Sequence, residues 1–237
     1  MHLEEIWRYP VKSMAGERLE ESWLGAGGVP GDRLVQVRRP GAAVPPGEPP
    51  RAAHAGWRMV TARSAPHLLG HRAVLGADGE PLVDGRKWND DAVAADVERA
   101  AGPGARLVRS AEPGDRFDIL PLLVMTDGAI AAVSMASLAG GSLELDRRRF
   151  RPNLLIGGVA GLAERSWEGR RLRVGEAIVA LDDLRGRCVM TTFDPDDLAQ
   201  EPRVMRTLVE TVGGLLGLNA DVERAGRIRV GDPVELL

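Results

Sequence analysis

The sequence predicts a mainly β protein with some α-helix, of the α+β class, divided into two domains. Short runs that alternate apolar and polar residues, with glycine and proline turns between them, recur along most of its 237 residues. Only three stretches show the apolar spacing and the end signals of helices. A linker containing proline and glycine, at 111–116, separates two halves, so we place the domains at residues 1–112 and 117–237.

The first half is predicted to contain strands and one helix. Asp78-Gly79 indicates a hairpin turn, and Asn89-Asp90-Asp91 caps a helix that is closed by Gly102. The stretch at 40–56 is rich in proline, glycine and alanine, which predicts a loop or hairpin tip. The predicted strands are 5–9, 18–24, 33–37, 57–61, 73–75, 81–83 and 106–109.

The second half is predicted to mix strands with two helices. A buried strand at 122–125 leads into an apolar helix at 129–138, for which Thr126 or Asp127 is the N-cap. A longer helix is predicted over 198–217. The further predicted strands are 177–181, 189–193 and a closing pair within 227–237.

The composition argues against several classes of function. The net charge of −3 gives no general attraction to nucleic acid or to an anionic membrane, so we expect neither as a partner. No apolar run is long enough to span a bilayer, and the acidic N-terminus does not have the apolar region of a signal peptide. Together with the single cysteine, this predicts a cytoplasmic protein. His54, His67 and His71 are interpreted as surface or packing residues, because no metal-binding motif includes them.

Lys12 and Ser13 lie in the turn that follows the first predicted strand. A lysine supplies a point charge and a serine supplies a hydroxyl donor, and together they can hold a phosphate group. Lys12 and Lys87 are the only lysines in a chain that otherwise uses arginine. The alternative is a solvated lysine in a turn, which is the usual position of this residue.

A basic stretch in the second half contains four arginines, followed by a proline and an asparagine. If its backbone is extended, Arg149, Arg151 and Asn153 share one face. Two guanidinium groups and an amide suit an oxyanion or the edge of a heterocycle. The alternative is a solvated charged surface, as such runs commonly are.

Thr126 and Asp127 stand at the start of the second predicted helix. A helix N-terminus presents free N–H groups and the positive end of the helix dipole, which favour a polar or anionic ligand. The alternative is that these two residues cap the helix and bind no ligand, because every helix start needs partners for its first N–H groups.

Cys188 is the only cysteine, so it cannot form an internal disulfide or a structural zinc site without other ligands. Arg185 and Arg187 flank it, and neighbouring guanidinium charge favours a thiolate, the form that attacks electrophiles or binds metals. The following residues, 189–193, are predicted to form a short strand, which places Cys188 at a strand edge. The alternative is an inert buried cysteine that packs as a small apolar residue.

Several blocks of sequence, in this order and spacing, resemble a known family. In the first half they are Tyr9-Pro10-Val11-Lys12-Ser13 and Gly31-Asp32-Arg33. In the second half they are Arg149-Phe150-Arg151-Pro152-Asn153, Trp167, Leu172 to Gly175, Arg187-Cys188, Thr191-Thr192, Asp194-Pro195 and Val230-Gly231-Asp232-Pro233-Val234. The chain resembles the molybdenum cofactor sulfurase C-terminal (MOSC) family with its N-terminal β-barrel domain, and its pattern is similar to that of the amidoxime-reducing components.

This resemblance implies an N-terminal β-barrel-like domain, a mixed β-barrel MOSC domain and a molybdenum cofactor, Mo-molybdopterin. It also implies that Cys188 is the molybdenum ligand and the catalytic residue. The positions that match cofactor-binding residues of the family are Lys12, Ser13 and Arg33 for the phosphate, Arg151 and Asn153 for the pterin, Gly186 and Arg187 through backbone contact, and Thr126 and Asp127 at the helix start. The arginine pattern described above adds Arg149 to the predicted cofactor-binding residues.

The resemblance implies an oxidoreductase that uses the molybdenum cofactor to reduce N-hydroxylated compounds, such as amidoximes and hydroxylamines. The chain contains no cluster of cysteines for an iron–sulfur centre, so a separate flavoprotein, ferredoxin or cytochrome b5-type protein is expected to donate electrons. The sequence does not resemble the aminotransferase-like domain of cofactor sulfurases, which argues against sulfurase activity by this chain alone. Two alternatives stay open: a non-catalytic carrier of the cofactor or of sulfur on Cys188, and a pair of β domains with an inert cysteine.

Overall fold

A computed structural model describes residues 1–41, 56–110, 116–138 and 145–237. Residues 42–55 of the predicted loop at 40–56, which include His54, lie outside the described residues, as do residues 111–115 of the predicted linker at 111–116. The fold is mainly β with three α-helices, as the sequence predicts. Residue packing divides the chain into two compact units. The first comprises Met1–Arg8, Arg18–Pro30 and Asp118–Leu237, and the second comprises Tyr9–Glu17 and Gly31–Phe117.

The secondary structure alternates short strands with three helices. The strands are β1 (His2–Arg8), β2 (Glu17–Leu19), β3 (Glu21–Leu24), β4 (Val35–Pro40), β5 (Trp57–Val60), β6 (Ala73–Leu75), β7 (Pro81–Val83), β8 (Arg86–Lys87), β9 (Arg106–Arg109), β10 (Leu122–Thr126), β11 (Leu154–Gly157), β12 (Arg171–Val174), β13 (Ala177–Gly186), β14 (Leu215–Arg224), β15 (Gly226–Arg229) and β16 (Val234–Leu236). The helices are α1 (Asp91–Ala101), α2 (Asp127–Leu138) and α3 (Arg203–Val212). The described residues also contain the short 3₁₀ turns Pro66–Gly70, Arg147–Phe150, Ala163–Ser166 and Val189–Thr192.

The first unit is built on an eight-stranded sheet in the order β16-β12-β13-β14-β10-β11-β1-β2. Its centre pairs β10 with β11 in parallel and β10 with β14 in antiparallel. Side chains of β10 alternate between the two faces, so Leu122 and Val124 enter one apolar cluster while Leu123 and Met125 enter another. Burial on both faces explains why this strand is apolar from Leu122 to Met125.

Two early segments of the chain belong to the first unit because they pair with late strands. β1 is antiparallel to β11, and β3 is antiparallel to β15. The predicted division at residue 112 follows the order of the sequence, whereas the packing units interleave. The later junction, between Phe117 and Asp118, lies close to the predicted boundary.

The second unit contains two three-stranded sheets and α1. The sheets have the orders β5-β4-β9 and β6-β7-β8. Asp90 caps α1 by accepting a hydrogen bond from the backbone N–H of Ala92 at 2.8 Å, and the helix buries Val93 and Val97 against the core that contains Val35 and Val37. The hairpin predicted at Asp78-Gly79 joins β6 to β7.

The resemblance predicts barrel-like domains, but the described strands form open sheets. The end strands of the eight-stranded sheet, and those of each three-stranded sheet, are not paired with one another. No helix within the described ranges is long and apolar enough to cross a membrane.

The third helix is shorter than predicted. α3 ends at Val212 because Gly213 and Gly214 adopt positive φ angles of 67° and 77°, which stop the helix. Leu215 and Leu216, predicted to extend the helix, instead begin β14. The two closing strands also do not pair with each other: β15 pairs with β3 and β16 pairs with β12.

Candidate functional site

In the second unit, two loops that carry predicted site residues lie side by side. Tyr9 donates its backbone N–H to Asp32 Oδ1 at 2.7 Å, and Arg33 donates its backbone N–H to the Tyr9 carbonyl at 2.8 Å. The Lys12 N–H donates to the Val35 carbonyl at 2.8 Å. These bonds bring the turn after β1 against the segment that leads into β4.

Lys12 and Ser13 are both buried in this arrangement. The Lys12 ammonium group lies 3.4 Å from the carbonyl oxygen of Arg116, and the Ser13 hydroxyl oxygen accepts the backbone N–H of Ala62 at 3.1 Å. The structure therefore does not support the alternative of a solvated Lys12. The hydroxyl hydrogen of Ser13 can still donate to a ligand, because its oxygen acts here as the acceptor.

Arg33 makes its contacts beside the same turn. Its guanidinium group pairs with the buried carboxylate of Asp32 and lies 6.0 Å from the centre of the Tyr9 ring. Asp32 thus holds the turn through Tyr9 and orients Arg33. Sequence reasoning identified Asp32 only as part of a motif, and its burial is the feature that the sequence does not show.

In the first unit, Cys188 precedes a 3₁₀ turn rather than a strand. The prediction of a strand at 189–193 is wrong, because Val189–Thr192 forms one 3₁₀ turn. The carbonyl oxygen of Cys188 accepts the backbone N–H of Thr191 at 3.0 Å and its hydroxyl at 2.9 Å. Cys188 is a free thiol of intermediate exposure, so it is not sealed in the apolar core.

The arginine stretch is also not extended, so the argument that placed its residues on alternating faces is wrong. Arg147–Phe150 forms a 3₁₀ turn, and Asp146 caps it by accepting the Arg148 N–H at 2.7 Å. Arg149 is buried and donates to the Thr192 carbonyl at 3.1 Å and to Asp194 Oδ2 at 2.7 Å. The guanidinium group of Arg149 therefore binds the turn that follows Cys188.

The two preceding arginines are paired with carboxylates. Arg147 pairs with Glu4 at 2.6 Å and with Glu5 at 3.1 Å. Arg148 binds both carboxylate oxygens of Asp196, at 2.8 and 2.7 Å, and these hydrogen bonds lower the pKa of Asp196. The basic stretch thus forms internal ion pairs.

Arg151 and Asn153 follow directly. Arg151 is half-buried and has a left-handed backbone with φ of 56°. Asn153 is fully buried: its Oδ1 accepts the backbone N–H of Leu123 at 3.1 Å, and its Nδ2 donates to the Trp7 carbonyl at 3.4 Å. The amide of Asn153 therefore links β1 to β10 next to the start of β11.

Gly186 and Arg187 lead into Cys188. Gly186 ends β13 opposite Leu215, and the Arg187 N–H donates to the Gly214 carbonyl at 2.8 Å. The Arg187 guanidinium donates to the Phe150 carbonyl at 2.6 Å and lies 5.4 Å from the centre of the Phe150 ring. Arg187 therefore ties the cysteine segment to the arginine stretch.

Thr126 and Asp127 lie at the opposite end of the paired strands β10 and β11 from Asn153. Thr126 ends β10, whereas Asn153 precedes β11, and these strands are parallel. Thr126 pairs with Ile156, three residues after Asn153, so at about 3.3 Å per residue the two positions lie roughly 10 Å apart along the strands. Asp127 accepts backbone N–H groups from Gly158 at 2.8 Å and from Val159 at 3.1 Å, so it organises the loop after β11.

A polar network beside the cysteine segment was missed from the sequence. Arg185 donates to Asn219 Oδ1 at 3.1 Å and to Asp118 at 3.1 Å. Asn219 is buried and donates to Asp183 Oδ1 at 2.8 Å. The available signal was Asn219 itself, an amide within the otherwise apolar run Leu215 to Ala220. Arg185, expected to act through its charge near Cys188, has these two partners instead.

The structure therefore gathers the predicted residues into three groups. Within the second unit, Lys12, Ser13 and Arg33 lie on adjacent loops. Within the first unit, one group contains Arg149, Arg151, Asn153, Gly186, Arg187 and Cys188, and a separate group contains Thr126 and Asp127. The described ranges contain no group of three or more histidine, cysteine, aspartate or glutamate side chains able to hold a metal ion.

Backbone conformation distinguishes three of the predicted residues. Five non-glycine residues among those described have a positive φ, namely Ser13, Arg33, Asp84, Arg151 and Leu198. Such conformations cost about 1–3 kcal/mol and occur preferentially at functional sites. Three of the five were predicted from the sequence to bind the cofactor.

Two family models match the chain and together cover most of it. Residues 120–235 match the MOSC domain, and residues 1–99 match the MOSC N-terminal beta barrel domain. These matches agree with the resemblance that the sequence blocks indicated. They extend over both halves of the chain.

Curated relatives match about half of the chain. The mitochondrial amidoxime reducing component 2 of Homo sapiens is 28% identical over 130 residues, which are 49% of this chain and 37% of that protein. The mitochondrial amidoxime-reducing component 1 of Mus musculus is 32% identical over 137 residues, which are 51% of this chain and 37% of that protein. The match thus spans well under half the length of these relatives.

Among solved structures, the YUAD protein from Bacillus subtilis is similar over nearly the whole fold. The superposition covers 99% of this chain and 93% of that chain, with a TM-score of 0.53 and 14% sequence identity. At this identity, the similarity shows a common fold and nothing more specific.

Proposed function

We propose that this chain, which belongs to the MOSC family and combines a MOSC domain with a MOSC N-terminal beta barrel domain, is a molybdenum-cofactor-dependent reductase of N-hydroxylated compounds. The observation that carries this proposal is the position of Cys188. It is a partly exposed thiol on a turn that is tied by hydrogen bonds to the arginine stretch. The MOSC domain and the amidoxime-reducing relatives give the cofactor and the reaction class.

The residues present fit such a cofactor. A thiolate is a soft ligand and suits the sulfur-rich coordination of molybdenum by molybdopterin. Lys12 is a buried cation, and burial of a cation is favourable only where a partner compensates it. Its ammonium group lies 3.4 Å from the Arg116 carbonyl oxygen, and its positive charge suits a phosphate group. We infer that Cys188 holds the metal, that Lys12, Ser13 and Arg33 hold the phosphate, and that Arg151 contacts the pterin.

When bound, the cofactor supplies a two-electron redox centre at which an N–O bond can be reduced. The protein supplies the thiolate, the orientation and the surrounding charge. Reduction of an N-hydroxyl group to N–H consumes two electrons and two protons and releases water. We infer that a separate flavoprotein, ferredoxin or cytochrome b5-type protein donates the electrons, because the chain has one cysteine and so no set of cysteines for an iron–sulfur centre.

The similarity to amidoxime-reducing components supports amidoximes as the substrate class, with hydroxylamines as related compounds. The partial exposure of Cys188 also favours a second candidate, a carrier that holds the cofactor, or sulfur on Cys188, for another enzyme. Both functions use the same residues, so they are distinguished by whether the purified protein reduces an N-hydroxylated substrate.

The test is to purify the full chain from a host that makes molybdenum cofactor, to quantify its molybdenum and to measure reduction of benzamidoxime with a reduced viologen dye. A reductase should contain molybdenum and form benzamidine in proportion to the dye oxidised. Molybdenum content without turnover would support the carrier. Absence of molybdenum from protein made in that host would refute both the reductase and the cofactor carrier.

A further inference from the structure

We propose that Arg149 is a positioning residue that fixes the turn carrying Cys188, rather than a ligand of the cofactor. The inference rests on the proposed function, because it concerns the orientation of the metal-binding sulfur. It departs from the sequence-based prediction, in which Arg149 binds the cofactor directly.

The contacts of Arg149 reach the far end of the turn that Cys188 begins. One guanidinium nitrogen donates to the Thr192 carbonyl at 3.1 Å and another donates to Asp194 Oδ2 at 2.7 Å. The Thr192 carbonyl also accepts the backbone N–H of Glu201 at 2.8 Å. Arg149 therefore holds the point where the turn meets the segment leading into α3.

Hydrogen bonds within the turn extend the effect of Arg149 from Thr192 back to Cys188. Thr191 donates both its N–H and its hydroxyl to the Cys188 carbonyl, at 3.0 and 2.9 Å. The Thr192 hydroxyl donates to the Val189 carbonyl at 2.7 Å. We therefore expect a displacement of Thr192 to displace the backbone of Cys188, because hydrogen bonds within the turn connect the two residues.

Because Arg149 is buried, its contacts with Thr192 and Asp194 should hold the turn more strongly than the ion pair between Arg148 and Asp196 does. The Arg149 side chain is 5% exposed, and removal of either partner of a buried charge pair is costly because the other charge is left uncompensated. Arg148 links the same two segments through Asp196, but that carboxylate is 72% exposed. Exposed pairs contribute little, so Arg148 is a matched control for the charge and for the segments joined.

Substitutions of Arg149 and of Arg148 should therefore have different effects on cofactor retention and turnover. Groups that orient a metal ligand typically change metal affinity or activity by about 10–100-fold when they are removed. Arg149→Met should therefore reduce cofactor retention or kcat by about tenfold or more, with KM for benzamidoxime little changed. Arg149→Lys, which keeps the charge and one donor, should restore part of the loss. Arg148→Met should stay close to the wild-type protein.

Two readouts separate positioning from general loss of stability. In the cofactor-free full chain, iodoacetamide should alkylate Cys188, the only thiol, faster in Arg149→Met than in Arg148→Met at the same pH. In the cofactor-loaded protein, the molybdenum(V) electron paramagnetic resonance spectrum should change in Arg149→Lys and remain that of the wild type in Arg148→Met. Thermal unfolding of each variant shows whether it is folded, and Arg149→Lys serves if Arg149→Met does not fold.

Equal alkylation rates and unchanged spectra in the Arg149 and Arg148 variants would overturn the proposal. That outcome is distinguishable from failure of the proposed function, which would appear as wild-type protein without molybdenum or without turnover. The alkylation comparison needs neither cofactor nor substrate, so it tests the positioning of Cys188 in either case.

Discussion

Thr126 donates its hydroxyl hydrogen to Glu164 Oε2 at 3.2 Å, and both side chains are buried in the first unit. The same Thr126 oxygen accepts the backbone N–H of Ala129 at 3.1 Å, as an N-cap of α2 does. Burial raises the pKa of Glu164, and the hydrogen bond from Thr126 and the charge of Arg165 only partly oppose this effect. The second oxygen of Glu164 has no hydrogen-bond partner among the described residues.

Glu164 should therefore make stability depend on pH. Below pH 4.5, the ordinary value, the carboxyl is protonated in both the folded and unfolded states. As the pH rises above that value the unfolded state releases its proton first, so the free energy of unfolding falls until the folded-state pKa is passed. Glu164→Gln removes this loss while it keeps an acceptor for Thr126. Urea denaturation should show Glu164→Gln more stable than wild type at pH 7 and equal to it at pH 4. A difference that does not vary with pH would contradict this account.

The two lysines of the chain provide a matched test of the phosphate site. Lys12 is buried, whereas the side chain of Lys87 is 67% exposed and lies 3.7 Å from Asp78. If Lys12 holds the cofactor's phosphate, Lys12→Gln should lower molybdenum content by about tenfold, the effect of losing roughly 1.4 kcal/mol of binding free energy. Lys87→Gln should leave it unchanged. The measurement is the molybdenum content of both purified variants, and thermal unfolding shows whether each variant is folded. Equal molybdenum contents in the two variants would exclude this role for Lys12.

Asn153 should be needed for stability whether or not a cofactor is bound. Asn153→Ala leaves the Leu123 N–H without an acceptor and removes packing at a fully buried position, so it should cost about 2–4 kcal/mol of unfolding free energy. Asn89→Ala, at an exposed position, should cost less than about 0.5 kcal/mol. The measurement is urea denaturation of cofactor-free protein. A cost below about 0.5 kcal/mol for Asn153→Ala would show that its amide is not holding the strands.

Gln36 is expected to destabilise the second unit. It is fully buried in β4, and neither its Oε1 nor its Nε2 has a hydrogen-bond partner among the described residues. Gln36→Leu should therefore raise the free energy of unfolding by about 1–2 kcal/mol, because it removes an unsatisfied buried amide. The exposed Gln200, which donates to Thr192 at 3.3 Å, is the control, and Gln200→Leu should not be stabilising. A destabilised Gln36→Leu would indicate a polar partner such as a bound water molecule.

Local elements of the fold were predictable from the sequence. The strands β6, β7 and β9 have the predicted bounds, because turn residues such as Asp78-Gly79 determine local conformation without long-range contacts. The pairing of β1 with β11 was not predictable, since it joins segments that are far apart in the sequence. The interleaving of the two packing units follows from that pairing and from the pairing of β3 with β15.

The errors beside Cys188 have a common physical cause. Val189 to Phe193 has the composition of a strand, but the hydroxyls of Thr191 and Thr192 bond to carbonyls three residues earlier and stabilise a turn instead. Asp146 similarly caps the arginine stretch and closes it into a 3₁₀ turn. In both stretches, local side-chain bonds to the backbone replaced the extended conformation on which the alternation argument depended.

Molybdenum content of wild-type protein and of Cys188→Ala, both made in a host that synthesises the cofactor, tests the account most directly. Cys188 is partly exposed and its removal should leave folding intact, so any difference reports on ligation. The account predicts molybdenum and benzamidoxime reduction in the wild type and loss of turnover in Cys188→Ala, with molybdenum strongly reduced. Wild-type turnover by molybdenum-loaded Cys188→Ala would contradict it.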